Sequence, residues 1–238
     1  MNLIVLNQDD FIAKNTVRLT GRRLEHIRTV HRAEPNTELR VGLLNGKIGY
    51  GIITSIDGDS VELITTLDQA PPDILPITLL LALPRPKMLR KVLQSATSLG
   101  VKQIYLINSF RVEKSFWSSP ILEPDKLNEQ LLLGLEQARD TILPEIHLRP
   151  LFKPFVEDEL PDLCKGTRAL VAHPTSKKKA VLEPNLQTTL AVGPEGGFIQ
   201  YEVDKLVSCG FVPFSLGERI LRVETAVPVL LSQMLSLQ

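Results

Sequence analysis

Cysteine and net charge are both scarce in this 238-residue chain, and each scarcity excludes a class of protein. The 2 cysteines, Cys164 and Cys209, lie far apart in the sequence and lack the spacing of metal ligands. A disulfide framework or a zinc site is therefore excluded, and two plain buried thiols are expected. The formal net charge is +0 at pH 7, so no general basicity indicates a nucleic-acid partner. Any such partner must bind a local patch.

Long apolar runs and the common nucleotide-binding motifs are also missing. The longest apolar stretches are too short to span a bilayer, and residues 1–9 lack the features of a signal peptide. We therefore expect no membrane partner and a reducing, cytoplasmic location. The sequence contains neither an early Gly-x-Gly-x-x-Gly nor a Gly-Lys-Ser/Thr P-loop ending. These absences argue against nicotinamide dehydrogenases, nucleoside triphosphatases and Rossmann-type methyltransferases.

The hydrophobic pattern changes near residue 72 and predicts two domains, 1–72 and 73–238. In the first, strand-like runs at 38–44, 48–56 and 60–65 are separated by Asn45-Gly46 and Asp57-Gly58-Asp59. Asn-Gly between apolar runs is a strong hairpin signal. This pattern predicts a small antiparallel β module such as a barrel. The boundary is marked by a cluster of prolines, Pro71, Pro72 and Pro76.

After residue 77 strand-like and helical patterns alternate, which predicts an α/β domain with a parallel sheet. The predicted strands are 77–83, 101–107, 146–148, 169–172, 190–192 and 211–215. The predicted helices are 87–99, 124–138, 201–209 and 225–237, with Gly100 and Gly210 ending two of them. The last helix is apolar nearly all round, so it must be covered on more than one face. Either the rest of the chain or a second copy could cover it.

Basic residues concentrate at 14–32, where Glu25 is the single opposing carboxylate. Leu24, Ile27 and Val30 recur at helical spacing, which predicts a short helix over 22–32 with a basic outer face. One interpretation is a solvated helix face. The other is a phosphate-binding patch, because arginine suits phosphate oxygens. The candidate RNA-binding residues are Arg18, Arg22, Arg23, His26, Arg28 and Arg32.

Two glycine-bearing loops follow successive strand-like runs near the carboxyl end, at residues 193–198 and 216–226. Taken alone, the first is better explained as a tight connection between a strand and a helix, whose glycines serve only the turn. A pair of such loops is different, because the carboxyl ends of parallel strands line one rim where ligands bind. Glycine also lets a ligand approach the backbone closely. The pair therefore indicates a site.

The residues Gly-Pro-Glu-Gly-Gly-Phe at 193–198 and Leu-Gly-x-Arg-Ile-Leu-Arg-x-Glu-Thr-Ala at 216–226 resemble the 16S ribosomal RNA uridine-N3 methyltransferases. That resemblance implies a SPOUT trefoil-knot methyltransferase domain with a mostly parallel sheet, preceded by a small PUA-like β-barrel that helps to hold RNA. It further implies S-adenosyl-L-methionine as cofactor, 16S rRNA or the 30S ribosomal subunit as partner, and a homodimer through the knot domain. Residues 136–140 depart from the Glu-Gln-Ser/Cys-Gly-Arg of that family.

The resemblance also implies roles for individual residues. The expected cofactor-binding residues are Ala172, His173, Gly193, Glu195, Gly196, Gly197, Leu216, Gly217, Ile220, Leu221, Arg222 and Thr225. For the transfer itself, Arg222 would stabilise the uracil anion and Glu224 would accept the N3 proton or orient a partner. Equally, Arg222 and Glu224 could form a structural ion pair. No metal-binding constellation is predicted.

Other interpretations stay open at this point. The chain could be a SPOUT methyltransferase acting on another RNA or atom, or a non-catalytic RNA-binding protein with the same fold. Lys177-Lys178-Lys179 could be a solvated loop or an RNA-facing one. Phe116-Trp117 could belong to the core or offer a stacking platform for a base.

Overall fold

The computed structural model describes residues 2–174, 176 and 186–235 and divides the chain into two compact units. Unit 1 comprises Met1–Asp73 together with Leu132–Leu143, and unit 2 comprises Ile74–Leu131 together with Pro144–Gln238. The sequence pattern did not predict that a later segment joins the first unit. That segment is recruited by packing, since Leu132, Leu135 and Leu143 lie against Leu3 and Ile48.

Unit 1 is a curled six-stranded sheet with the order β1-β4-β5-β6-β3-β2. Its strands are β1 (Ile4–Leu6), β2 (Phe11–Ala13), β3 (Thr16–Leu19), β4 (Glu38–Leu43), β5 (Ile48–Ile56) and β6 (Val61–Gln69). Only β1 and β4 pair in parallel; the other neighbours are antiparallel. The predicted antiparallel module is confirmed, although β1 to β3 are too short to give a clear alternating pattern.

One helix covers the core of unit 1. Helix α1 (Gly21–His26) continues into a π-helical turn, Ile27–His31, and buries Leu24 and Ile27. Val30 was predicted to share that buried face, but it is 62% exposed. The wider turn, with its i→i+5 bonding, rotates Val30 away from the sheet. The prediction of one regular helix over 22–32 is therefore wrong in its second half.

Unit 2 is an α/β domain whose six-stranded sheet has the order β12-β10-β11-β7-β8-β9, with every neighbouring pair parallel. Its strands are β7 (Leu75–Ala82), β8 (Val101–Ile107), β9 (Glu145–Arg149), β10 (Arg168–Ala172), β11 (Thr188–Val192) and β12 (Val212–Phe214). The helices are α2 (Pro86–Ser98), α3 (Pro124–Ala138, whose last turns belong to unit 1), α4 (Phe152–Pro154), α5 (Leu160–Leu163), α6 (Gln200–Ser208) and α7 (Val223–Ser232).

The strand and helix alternation predicted for unit 2 is confirmed, and β8 and α3 have the predicted bounds. Gly100 and Gly210 follow α2 and α6 with φ of 89° and 91°, the left-handed conformation expected after a helix. The last helix begins two residues before its predicted start and ends at Ser232, so its predicted end at residue 237 is wrong. Helical residues 152–163 were missed because they include a π turn, Phe155–Glu159, that breaks the 3.6-residue period.

The order of the strands places the two glycine-bearing loops side by side. Strand β10 lies between β11 and β12, and Ala172 at its end is in register with both Val192 and Phe214. The first glycine loop (residues 193–199) starts directly after Val192, and the second glycine loop (residues 215–222) starts directly after Phe214. Both loops therefore leave one rim of the sheet from strand ends flanking β10.

Candidate functional site

The two glycine loops line a cavity of about 560 Å³ at the carboxyl ends of β10, β11 and β12. Most of the residues predicted to bind a cofactor lie in its wall: Ala172, His173, Gly193, Glu195, Gly196, Gly197, Leu216, Gly217, Ile220 and Leu221. The predicted residues outside the wall are Arg222, Glu224 and Thr225. The structure thus brings together the two motifs and separates the predicted catalytic pair from the wall itself.

The first glycine loop needs glycine at two positions for different reasons. A Cβ added at Gly193 would lie 2.9 Å from the nitrogen of Phe198 and 3.2 Å from the backbone of Gly197. Backbone atoms cannot give way as a side chain can, so the loop closes only around glycine. Gly197 has a φ of 72°, and its N–H donates to the carbonyl of Pro194 at 2.7 Å. That turn folds the loop back over the rim.

Two carboxylates hold the first glycine loop in place. Glu195 accepts a 3.0 Å hydrogen bond from the backbone N–H of Arg85, the residue that precedes α2. Glu202 is 2% exposed and accepts from the N–H of Ile199 at 3.0 Å and from the N–H of Phe110 at 2.6 Å. A buried carboxylate satisfied by two backbone donors fixes both segments.

Sequence reasoning missed Glu202, although a signal for it exists. It stands three residues after the residue that precedes α6, the place from which a glutamate caps a helix start. Its second bond, to Phe110, joins residues 92 apart in the chain. No local pattern could have indicated that bond.

Arg111 is a residue of the cavity wall that the sequence did not indicate. It follows β8, and its guanidinium donates to the carbonyl of Gly196. Its neighbour Phe110 is 78% exposed. The segment after β8 therefore places a cation in the wall of the cavity and an exposed aromatic ring next to that cation in the chain.

The second glycine loop supplies apolar and cationic groups. Leu216, Ile220 and Leu221 line the cavity together with Arg219, and Ile220 is 83% exposed. Arg222 ends the loop with an exposed side chain, while its carbonyl accepts from the backbone of Thr225 and Ala226 at the start of α7.

The structural ion pair considered for Arg222 and Glu224 is not found. Within the described part of the chain, no salt bridge or side-chain hydrogen bond joins these two residues. Both side chains are thus left to other roles. The end of β10 is held differently: the N–H of His173 donates to the carbonyl of Phe214 at 2.8 Å.

The predicted RNA-binding arginines of unit 1 are largely occupied. Three of the five form two-pronged ion pairs: Arg18 with Glu62 at 2.7 and 2.9 Å, Arg22 with Glu136 at 2.7 and 3.0 Å, and Arg23 with Asp10. Glu136 is only 3% exposed. Glu25 is the single carboxylate within residues 14–32, but carboxylates from outside that segment also fold onto its charge.

The other predicted members of that patch are a neutral histidine and two arginines without a carboxylate partner among the described residues. Burial, together with the nearby His31 and Arg22, lowers the pKa of His26, so its imidazole is neutral at pH 7. Arg28 reaches only the carbonyl of Gly58, at 3.5 Å, and Arg32 is exposed. Arg28 and Arg32 are the arginines of this patch left available for phosphate.

Several smaller predictions can be placed. Cys164 and Cys209 are partly rather than fully buried, and burial raises the pKa of the Cys164 thiol to about 11.

Phe116 and Trp117 are also partly buried, and the indole of Trp117 donates to Asn108 at 3.1 Å, which favours the core over a stacking platform. Lys177-Lys178-Lys179 lies outside the described residues. Among the described residues there is no cluster of three potential metal ligands and no helix long and apolar enough to cross a membrane.

A cavity at the carboxyl ends of parallel strands, walled by glycine-rich backbone and apolar side chains, defines an α/β protein that binds a small organic cofactor or substrate. Comparison with known proteins then gives the family. The sequence model of the RNA methyltransferase domain matches residues 71–235, and the chain belongs to that family.

Individual relatives agree with this assignment. The chain is 26% identical over 240 residues to ribosomal RNA small subunit methyltransferase E of Treponema pallidum, covering 95% of this chain and 87% of that protein. It is 30% identical over 159 residues to the methyltransferase of the same name from Mesomycoplasma hyopneumoniae, covering 66% and 68%.

A solved structure shares the fold. The ribosomal RNA small subunit methyltransferase E from Neisseria gonorrhoeae, bound to S-adenosyl methionine, matches with a TM-score of 0.77 at 22% identity, over 98% of this chain and 96% of that one. The predicted α/β methyltransferase domain with a mostly parallel sheet, preceded by a small β domain, is confirmed.

Proposed function

We propose that this protein transfers a methyl group from S-adenosylmethionine to N3 of a uridine in 16S ribosomal RNA. The observation that carries this proposal is the meeting of both glycine loops in one cavity of about 560 Å³. Membership of the RNA methyltransferase domain family supports the reaction class. The small-subunit ribosomal RNA substrate follows the names of the relatives.

The cavity wall suits the proposed cofactor. An adenine ring needs an apolar slot whose edge is read by backbone groups. Leu216, Ile220 and Leu221 supply apolar surface, and the glycines of the first loop bring backbone without side chains into the wall. The cofactor, when bound, supplies a methyl group activated on a sulfonium. Arg111 and Arg219 in the wall are candidates to bind its carboxylate.

Methyl transfer depends chiefly on how the cofactor and the uridine are positioned relative to each other. Holding two reactants in a productive orientation contributes roughly 7–11 kcal/mol to a reaction of this kind. The N3 proton of uracil must leave, and its oxygens then carry negative charge. Arg222 would stabilise that negative charge, because its exposed side chain directly follows the wall residue Leu221. Glu224, in the first turn of α7, would accept the N3 proton or orient Arg222.

The proposed partners follow from this reaction. The substrate would be 16S rRNA or the 30S subunit, met in the cytoplasm where ribosomes assemble. The N-terminal domain, with a boundary near residue 72, would position RNA. A homodimer through the α/β domain would cover apolar residues of α7 such as Ala226 and Val229, which are only partly buried within one chain.

Calorimetric titration with S-adenosylmethionine tests the cofactor directly. We expect saturable binding near one site per chain. Absence of heat from a folded protein would contradict the proposal and favour the non-catalytic RNA-binding alternative. Mapping methyl groups on 16S rRNA from a deletion strain then tests the substrate. Loss of a methyl group from another RNA or another atom would favour a related methyltransferase of different specificity.

A further inference from the structure

One face of helix α2 carries an uninterrupted group of cations. Lys87, Arg90 and Lys91 are exposed, and their spacing of three and four residues puts them on the same side of the helix. Arg85, the residue that precedes α2, is also exposed. The opposite face is fully buried through Leu89, Val92, Leu93 and Ala96. We refer to Arg85, Lys87, Arg90 and Lys91 as the basic face of α2.

The charges of this face are left uncompensated. Within the described residues, none of its four side chains forms a salt bridge or a side-chain hydrogen bond. Like charges three or four residues apart destabilise a helix. A neutral protein thus concentrates repelling cations in one place, an arrangement that a bound polyanion would stabilise.

The basic face is also tied to the cavity. The backbone N–H of Arg85 donates to Glu195 of the first glycine loop at 3.0 Å. Helix α2 packs against α7, which follows the second glycine loop. The face therefore belongs to a helix that contacts the first glycine loop and α7, both of which contribute residues to the cavity wall.

We propose that the basic face of α2 binds phosphates of the RNA substrate and holds the strand beside the cavity. This inference rests on the proposed function, because RNA held beside the cavity has a role only if methyl transfer takes place there. Lysine and arginine neutralise phosphates without reading sequence, so the face would position RNA while other groups select the base. A second copy of this chain is a poorer occupant, since a symmetric contact would bring like charges together.

The test compares two triple substitutions that remove the same charge. One is Lys87→Gln with Arg90→Gln and Lys91→Gln. The control replaces Lys126, Lys153 and Lys165 by Gln; these exposed lysines of unit 2 are already paired with Glu129, Glu157 and Asp162. Affinity for unmodified 16S rRNA transcribed in vitro is measured across salt concentrations by filter binding. Cofactor affinity is measured in parallel by calorimetry.

We expect the first triple variant to bind S-adenosylmethionine like the wild type and to lose at least tenfold in RNA affinity. Its slope of log K against log salt should fall by about 2, since each single-strand phosphate contributes roughly 0.7. The control should keep nearly all of its affinity and slope. If the triple variant does not fold, the Lys91→Gln protein should show about a third of that slope change.

Other results would overturn the inference. Equal RNA affinity and slope in the two triple variants would show that net charge alone matters. Unchanged RNA binding with an altered oligomeric state would assign the face to a second copy of the chain. Either result would leave the proposed function standing, because the wild type would still bind S-adenosylmethionine and transfer the methyl group. A wild type that did neither would contradict the proposed function instead.

Discussion

The two basic regions of this protein look alike in sequence and differ in what they can bind. In unit 1, Arg18, Arg22 and Arg23 are each paired with a carboxylate. On the basic face of α2, Lys87 and Arg90 extend into solvent without such a partner among the described residues. The comparison teaches that a run of cations indicates a ligand only after its intramolecular partners have been identified.

The difference arises from sequence separation. Glu136 lies 114 residues from Arg22, and Glu62 lies 44 residues from Arg18. Both pairs form because folding brings the carboxylates back onto the helix and sheet of unit 1. Arg18, Arg22 and Arg23 therefore stabilise unit 1, and the cations of α2 remain available for function.

The largest expected effect is on cofactor affinity, and it compares the substitution of one glycine in each unit. Gly193→Val should reduce S-adenosylmethionine affinity more than 100-fold, because the new Cβ would lie 2.9 Å from the nitrogen of Phe198. Gly58→Val in unit 1 is the matched control, since a Cβ there meets nothing within 4 Å. Calorimetry on both variants checks this. Normal affinity in the Gly193 variant would show that the first glycine loop is only a turn.

The next effect concerns stability. Arg22→Ala leaves Glu136 buried without its guanidinium, a loss that costs about 3–5 kcal/mol in a fully buried pair. Because the Arg22 side chain is 52% exposed, we expect a smaller loss, about 1–3 kcal/mol of unfolding free energy. Arg90→Ala should change it by less than about 0.5 kcal/mol. Chemical denaturation measures both, and equal losses would remove the distinction between the two basic regions.

An effect of similar size is expected for Glu202 of unit 2, whose buried carboxylate joins two backbone segments. Glu202→Gln keeps one carbonyl acceptor for Ile199 or Phe110 but not two. We expect a loss of about 1–3 kcal/mol in stability and several-fold weaker cofactor binding, with Glu157→Gln on the surface as control. Unaltered cofactor affinity would mean that the segment after β8 does not support the cavity.

The smallest effect is chemical and reports on unit 2, which holds both cysteines. Burial raises the pKa of Cys164 to about 11, so its reactive thiolate is scarce at neutral pH. In a Cys209→Ser background, alkylation by iodoacetamide should stay slow at pH 7 and keep rising to about pH 11. An unperturbed thiol would level off above its pKa of about 8.5. A plateau near pH 9 would show that Cys164 is open to solvent.

Local sequence patterns predicted much of the fold and the two glycine loops that form the cavity. The glycine motifs could be read because their chemistry is contained in a few consecutive residues, and strand register then placed the two loops side by side. Period-2 and period-3.6 patterns likewise located β8 and α3 within their observed bounds.

The side-chain contacts that the sequence did not predict share one physical cause, because each depends on a partner in a distant segment. The pairing of Arg22 with Glu136, the bond from Phe110 to Glu202 and the seating of Arg111 on Gly196 all join remote segments. The basic face of α2 was overlooked for a related reason. Its importance lies in the absence of partners, which becomes visible only when the described neighbours are known.

Incubating the protein with methyl-labelled S-adenosylmethionine and unmodified 30S particles, followed by nucleoside analysis, tests the central claim most directly. The account predicts that label enters 16S rRNA as N3-methyluridine and that the Gly193→Val variant transfers none. Label on another atom or another RNA, or no transfer by a protein that binds the cofactor, would contradict it.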